Sequence, residues 1–464
     1  MYQTMKIMKF GGSSVADSNA VSRVSEIISG RVKGGEKIVV VVSAMAGVTD
    51  RLESLCGYVE SKNEGVYDVI TAMEQKHLSV ARELISIARQ PQVLAEVLTL
   101  FNQLTDIIKG AFLVGEVTAR TKDMILSYGE QLSGFILANV LADEIPGAFY
   151  SDARKLIITD SDFGRARVNF EITGNMVRDK ISTGKGTAVI PGFIAGTFTG
   201  ETTTLGRNGS DYSASVLGAA LGADAIEIWT DTNGVMTADP SIVSEARSIR
   251  QLSYNEAMEL SHFGARVIYP ASLLPAMRSG IPVIVKNTFN PGDEGTVICK
   301  DPSGNGSFIR GITSLGKISM LSVEGCGMVG AAGVAARLFT ALSGAGISVI
   351  LISQASSEHS ICLCIPGNDA QRAKSILAET FLKELVTGAI SSVTSEDQLA
   401  IVAVVGENMR NTPGVAAKVF DPLGKSRVNI KAISQGSSEL NISFVIHERD
   451  LGTAMNALHK SMFH

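Results

Sequence analysis

The stretch TTTLGRNGSDYSAS, residues 202–215, crowds hydroxyls, glycines, one arginine and one carboxylate ahead of a helical pattern. Arg207 offers a planar fork that suits a carboxylate. Asp211, four residues later at the helix start, reads either as a cap or as part of a substrate site, and both can hold. A second candidate is KFGGSS, Lys9 to Ser14, between a strand pattern and a helix pattern. Backbone N–H groups of Gly11, Gly12 and Ser13 can approach phosphate oxygens in such a turn, with Lys9 as the cation. The order differs from a Walker A loop, and a glycine turn by itself is as readily a packing device. A third is EIWTDTNGVMTADP, residues 227–240, where a strand ends at Thr230 and Asp231. Ligands of parallel α/β sheets bind beyond the carboxyl ends of strands, so this turn is well placed, whereas the lone Trp229 reads as core.

The elements that must position these residues follow a β/α rhythm. MKIMKF reads as a strand, GGSS as a turn, AVSRVSEIISG as a helix and KIVVVVSAM as a β-branched strand. Such a unit implies a mainly parallel sheet covered by helices. From Asp50 to about Asp143 the pattern is helical, broken at SKNEG and RQPQ. The rhythm resumes at TAVIPGFIAG, a helix from Ser210 to Leu221, and AIEIWTD. SYNEAMELSHFG then places Ser253 and Glu256 at capping-box spacing before another helix, and IPVIVKNT reads as a buried strand. NPGDEGTVICKDPSGNGS, residues 290–307, is the best linker candidate, which puts a catalytic domain at 1–300.

The last third is duplicated. ISQASSE at 352–358 returns as ISQGSSE at 433–439, and GVAARLF at 333–339 returns as GVAAKVF at 414–420, both at an offset of 81. Gly325 and Met328 return as Gly406 and Met409 in the same register. Several identities at one offset mean a repeated unit. Each copy reads as strand, turn, amphipathic helix, strand and strand, a small α+β module used as a pair.

Composition bounds the function. At 464 residues two or three domains are expected, and 45% hydrophobic content is enough for sizeable cores. A formal net charge of -5 without a long basic run argues against a nucleic-acid partner. A small-molecule partner is expected. Apolar runs such as Ile38–Val42 fall far short of a membrane span, and the N-terminus lacks the apolar stretch of a signal peptide. The five cysteines are odd in number and scattered, Cys362 and Cys364 share one strand face, and the six histidines show no metal-ligand spacing. Reduced thiols in a cytoplasm are the expectation.

KFGG, SAMAGVTD, Gly129–Glu130, TTTLGRNGSDYSAS, WTDTNGV, ELSHFGARVIYP and VKNTFNP, in this order, make the chain resemble aspartate kinases of the amino acid kinase family, and its tail resembles their paired ACT domains. The resemblance implies an ATP:L-aspartate 4-phosphotransferase, with Mg²⁺ accompanying ATP, at the first step toward lysine, threonine and methionine. It implies that Lys9, Asp211 and Glu130 are catalytic. Ser43, Thr49, Glu130, Phe193, Arg207 and Ser210 would hold aspartate. Lys9, Gly11, Gly12, Ser13, Thr230, Asp231, Met236 and Lys286 would serve the nucleotide. Asn233, Met236 and Ser241 depart from the family's acidic, aromatic and basic residues there, and Lys286 is a candidate compensating cation. Carbamate, acetylglutamate and uridylate kinases share the fold but do not normally carry a tandem ACT tail. A non-catalytic amino-acid sensor is the alternative from another class, and intact Lys9, Glu130, Arg207 and Asp211 speak against it. Some bifunctional relatives continue into a homoserine dehydrogenase domain; no further dinucleotide-binding segment precedes His464 here.

The resemblance also implies that the first ACT domain, 315–395, is inserted into the second, formed by 306–314 plus 396–464, and that the tail supports at least a homodimer. Ile352, Gln354, Ile433 and Gln435 would line effector sites. Lysine-sensing relatives carry an acidic residue where Ile350 stands, so threonine is the expected effector. Lys9→Ala is expected to abolish most turnover while leaving the fold intact.

Overall fold

The computed structural model describes residues 4–182, 186–264, 268–302, 308–328, 331–354 and 359–463. They form two compact units. The first comprises Met1–Val235, Arg250–Tyr254 and Val267–Ser303; the second comprises Met236–Ile249, Asn255–Arg266 and Gly304–His464. The units therefore do not follow the linear order of the chain. Two excursions from within the first 300 residues join the second unit.

The first unit opens with β1 (Met5–Phe10), α1 (Ser18–Lys33) and β2 (Lys37–Val42), then four helices: α2 (Val48–Glu60), α3 (Val66–Leu84), α4 (Gln90–Val114) and α5 (Ala119–Glu144). There follow β3 (Phe149–Tyr150), β4 (Ile158–Thr159), α6 (Phe170–Val177), β5 (Ala188–Pro191), β6 (Ile194–Thr197), β7 (Thr202–Thr204), α7 (Gly209–Leu221) and β8 (Ala225–Thr230). After β9 (Gln251–Ser253) comes α8 (Tyr254–His262), which beyond Tyr254 belongs to the second unit, and the first unit resumes with α9 (Pro270–Ser279), β10 (Val283–Asn287) and β11 (Thr296–Cys299). The eight-stranded sheet has the order β3-β5-β2-β1-β8-β10-β11-β9, and every pairing but β10 with β11 is parallel. TAVIPGFIAG is thus two strands, since β6 leaves for a three-stranded sheet with β4 and β7. The proposed linker also contains a strand. Thr296–Ile298 is a β-branched run, and β11 pairs with Val283–Val285 on one side and Gln251–Ser253 on the other. Residues 303–307 lie outside the described residues.

Alternation along β1 sends Met8 and Phe10 into the core beneath α1 to α5, together with Val40, Val42 and Trp229. Trp229 is core, as its composition suggested: it stacks on Phe10 at 5.7 Å, and its Nε1 donates to buried Glu227 at 3.0 Å. α4 has the length and hydropathy of a membrane span. Its buried residues Val93, Val97, Phe101, Leu104 and Ile108 recur every three or four positions, the stripe of a helix packed against its neighbours.

His77 on α3 is fully buried, with its ring edge-on to Phe101 and Nδ1 2.7 Å from the Met73 carbonyl, while Nε2 has no hydrogen-bond partner among the described residues. Burial pushes its pKa down to about 4, against the Met73 hydrogen bond. A lowered folded pKa means that the unfolded chain binds the proton first. The full contribution is present above about 6.5 and is lost as pH falls through about 4, up to about 3 kcal/mol. His77→Leu should therefore lose less stability than wild type between pH 6.5 and 4 in thermal melts; parallel curves would refute this.

The second unit is built on β12 (Gly311–Glu324), β13 (Leu351–Gln354), β14 (Ser360–Pro366), β15 (Ser392–Val405), β16 (Ala432–Ser434) and β17 (Asn441–His447). Its helices are α10 (Val334–Gly344), α11 (Ala370–Thr380), α12 (Leu382–Thr387), α13 (Val415–Lys425) and α14 (Leu451–Phe463). The antiparallel sheet has the order β13-β14-β12-β15-β17-β16. Its two central strands serve both repeats: Gly311–Leu315 pairs with Val405–Ile401, and Met320–Glu324 pairs with Glu396–Ser392. Each repeated pair has the same physical cause in both copies. Gly333 and Gly414 open α10 and α13 at φ +93 and +85, which glycine adopts without strain. A Cβ at Gly325 or Gly406 would lie 2.3 or 2.1 Å from a backbone oxygen. Met328 and Met409 are both buried.

Candidate active site

β5, β2, β1 and β8 are neighbours and parallel, so their carboxyl ends share one edge. Hydrogen bonds stitch the loops beyond them: Gly11 N–H to Trp229 O (3.1 Å), Ser43 N–H to Phe10 O (3.1 Å), Ala46 N–H to Gly12 O (3.1 Å) and Gly192 N–H to Val42 O (2.8 Å). The Gly11 amide is thereby committed to the sheet and does not point at a ligand. Gly12 and Ser13 open a short 3₁₀ turn, Gly12–Val15, where the first amides have no partner within the turn.

A cavity of about 690 Å³ opens at this edge. Ser43 from the loop after β2, Thr49 from the first turn of α2, Glu130 from α5, Phe193 from the β5–β6 turn, and Arg207 and Ser210 around the start of α7 all line it. Phe193 takes φ +65, a conformation rare for an aromatic residue, and its N–H is fixed to Ser213 Oγ at 3.0 Å. Gly129 explains how Glu130 arrives there. A Cβ at 129 would sit 2.8 Å from Ala44 Cβ, so α5 presses directly against the loop after β2.

Glu130 is buried, and its Oε2 has no hydrogen-bond partner among the described residues. Burial raises its pKa to about 8, opposed by the amides of Ala44 and Glu130 itself and by the charge of Lys9. A buried carboxyl with an open oxygen is suited to receive a ligand cation.

Lys9 extends from the opposite face of β1 to Asp211, with Nζ 2.5 Å from Oδ1 and both side chains largely buried. Asn208, not Asp211, is the cap residue of α7. The two readings of Asp211 are thus separated: it pairs with Lys9. Its Oδ1 lacks an aligned hydrogen bond, so the contact is one of charge. Arg207 is exposed, and no carboxylate pairs with it among the described residues.

Thr230 ends β8 and Asp231 follows it, with the Thr230 hydroxyl 3.2 Å from Asp231 Oδ1. Lys286 Nζ sits over the Trp229 ring at 5.4 Å, and Asn233 Oδ1 accepts from Asn287 Nδ2 at 2.7 Å. Met236, the remaining residue expected to serve the nucleotide, falls in the second unit. The chain leaves the first unit after Val235, whose N–H is tied to Thr296 Oγ1 at 2.8 Å, and Met236 bridges to Ser248 within the second unit. Ser241 belongs to the second unit as well, with its hydroxyl on Asp239.

In the second unit Gln354 and Gln435 are exposed, and Ile352 and Ile433 are about half exposed. The two ISQ segments meet although they occupy opposite ends of the sheet order: Ser353 Oγ donates to Ile433 O at 3.1 Å. Residues 355–358 of the first motif lie outside the described residues.

The chain matches the amino acid kinase family over residues 4–287 and the ACT domain over 321–381 and 402–462. It is 34% identical to aspartokinase 1, chloroplastic, of Arabidopsis thaliana, over 98% of this chain and 80% of that protein. The chain belongs to the aspartokinase branch of the amino acid kinase family. The fold agrees: Escherichia coli aspartokinase III in complex with aspartate and ADP (R-state) superposes with a TM-score of 0.83, at 30% identity, over 99% of this chain and 100% of that one. The same enzyme with lysine and aspartate (T-state) gives 0.79. A bifunctional aspartokinase/homoserine dehydrogenase 2 of A. thaliana is 33% identical over 98% of this chain and 50% of its own length. The chain spans about half the length of such curated relatives.

Asp123 is among the cavity residues of this aspartokinase-family chain that no motif marked. Asp123 is 1% exposed and stands seven residues before Glu130 on the same face of α5. That spacing was the available signal.

Proposed function

We propose that this chain transfers the γ-phosphoryl group of ATP to the β-carboxylate of L-aspartate, forming 4-phospho-L-aspartate and ADP, at the first step toward lysine, threonine and methionine. The observation that carries this reading is a single cavity that gathers Ser43, Thr49, Glu130, Phe193, Arg207 and Ser210, next to the Lys9–Asp211 pair. Arg207, which no carboxylate pairs with among the described residues, takes a carboxylate of aspartate, and buried Glu130 faces its ammonium. Lys9 neutralises charge on the phosphoryl group in transit, which is the main demand of this chemistry. Among the described residues no three His, Cys, Asp or Glu side chains cluster around a possible ion. Mg²⁺ therefore fits best as a companion of the nucleotide, held mainly by phosphate oxygens and water, where it neutralises phosphate charge. An ATP-dependent hydroxamate assay should trap aspartyl hydroxamate, whereas absence of product with saturating ATP, Mg²⁺ and aspartate would leave the amino-acid-sensor reading instead.

The regulatory part of the proposal is that threonine acts through the two ISQ segments. An aliphatic Ile350 offers nothing to a lysine ammonium, whereas Gln354 and Gln435 can both donate to and accept from a hydroxyl. Both glutamines are exposed. Gln354→Ala or Gln435→Ala should raise the threonine concentration for half-inhibition several-fold while basal rates stay unchanged. Wild-type activity indifferent to millimolar threonine but suppressed by lysine would defeat the assignment.

A further inference from the structure

Asp123 is a carboxylate with almost no solvent access, and its partners are donors rather than a bonded cation. Its Oδ2 accepts the N–H groups of Gly164 (2.8 Å) and Thr204 (2.9 Å), and its Oδ1 accepts the Thr204 hydroxyl (2.8 Å). The neighbouring Lys122 ammonium is occupied by Glu53 at 2.6 Å. These contacts join three elements that are far apart in sequence: α5, the loop 160–167 and strand β7. The loop is further tied to β7 by Ala166 N–H on Thr204 O at 3.0 Å. Phe163, Gly164, Thr204 and Arg207 all line the cavity, and Arg207 follows Thr204 by only three residues.

We propose that Asp123 is a positioning residue that clamps the 160–167 loop and the end of β7 onto α5, and so sets Arg207 and the cavity wall for the aspartate carboxylate. The proposal rests on the reading of this cavity as the aspartate site. Burial raises the Asp123 pKa, against the hydrogen bonds from Gly164 and Thr204 and the charge of Lys122. Three donors converging on one buried group is what a clamp needs, because an unsatisfied buried amide is costly to leave. The chemistry also predicts which substitution is tolerated. An asparagine can place its oxygen where Oδ2 lies, accept both N–H groups, and donate its amide to the Thr204 hydroxyl. Alanine can do none of these.

The test uses the full chain and two readouts. Asp123→Ala should raise the aspartate KM at least about tenfold with kcat within about threefold, and hydrogen exchange should quicken in peptides covering 160–167 and 202–208. Asp123→Asn should recover most of the KM and of the exchange protection. Thr204→Val, which removes only the hydroxyl contact, should fall between. An Asp123→Ala KM within twofold of wild type, or a fall in kcat at constant KM, overturns the proposal. So does an Asp123→Asn variant as impaired as alanine, which would make charge the cause. Should wild type fail to phosphorylate aspartate, the function reading falls, and unchanged exchange in Asp123→Ala would separately remove the clamp.

Discussion

Lys9→Ala lowers kcat by about 10²–10³-fold, the usual cost of removing one pre-placed charge that stabilises a transition state. The sequence suggested that such a variant would fold undisturbed. The structure adds a stability cost to that expectation, because Lys9 is the partner of a buried Asp211 at 2.5 Å. Removing one member of a buried pair leaves the other uncompensated, at about 3–5 kcal/mol. A melting temperature lower by several degrees is therefore expected in the single variant. Lys9→Ala combined with Asp211→Asn should regain much of that stability and none of the activity. Calorimetry and steady-state kinetics on the three proteins check this. If the double variant recovers turnover, Lys9 is not the phosphoryl cation.

Arg207→Ala raises the aspartate KM by about 10–100-fold with a smaller change in kcat. A hydrogen bond to a charged group contributes about 1.5–3 kcal/mol, and each 1.4 kcal/mol is tenfold in binding. Arg207 is exposed and without a carboxylate partner among the described residues, so its loss should not unfold the loop that carries it. Arg207→Lys should recover only part of the KM, since a lysine supplies charge but not a two-pronged fork. A fall in kcat at constant KM would assign Arg207 to the transition state rather than to ground-state binding.

The sequence by itself determined the features that local chemistry controls. Alternating apolar residues with glycine turns specify the βαβ start, the helical run from residue 50 reflects its apolar spacing, and the 81-residue echo marks the duplicated tail. Hydroxyl, glycine and arginine clusters at strand-to-helix turns marked Arg207 and Asp211, because such turns are where backbone and side-chain donors become available together, and the family resemblance added Ser210. Other features depend on pairs that no short window contains. Lys9 and Asp211 are 202 positions apart, and which of cap or ion pair Asp211 forms was decided by β1 lying against α7. The Gly11 amide looked available in its turn and is committed to a carbonyl on β8. The strand Thr296–Cys299 hid in a glycine- and proline-rich stretch because its partners, at 251–253 and 283–285, are supplied by other parts of the chain. Asp123 acquires its role only through Gly164 and Thr204, 41 and 81 residues away, whose donors turn toward it. Burial and long-range hydrogen bonding assign a polar residue its work, and both arise only when distant segments pack.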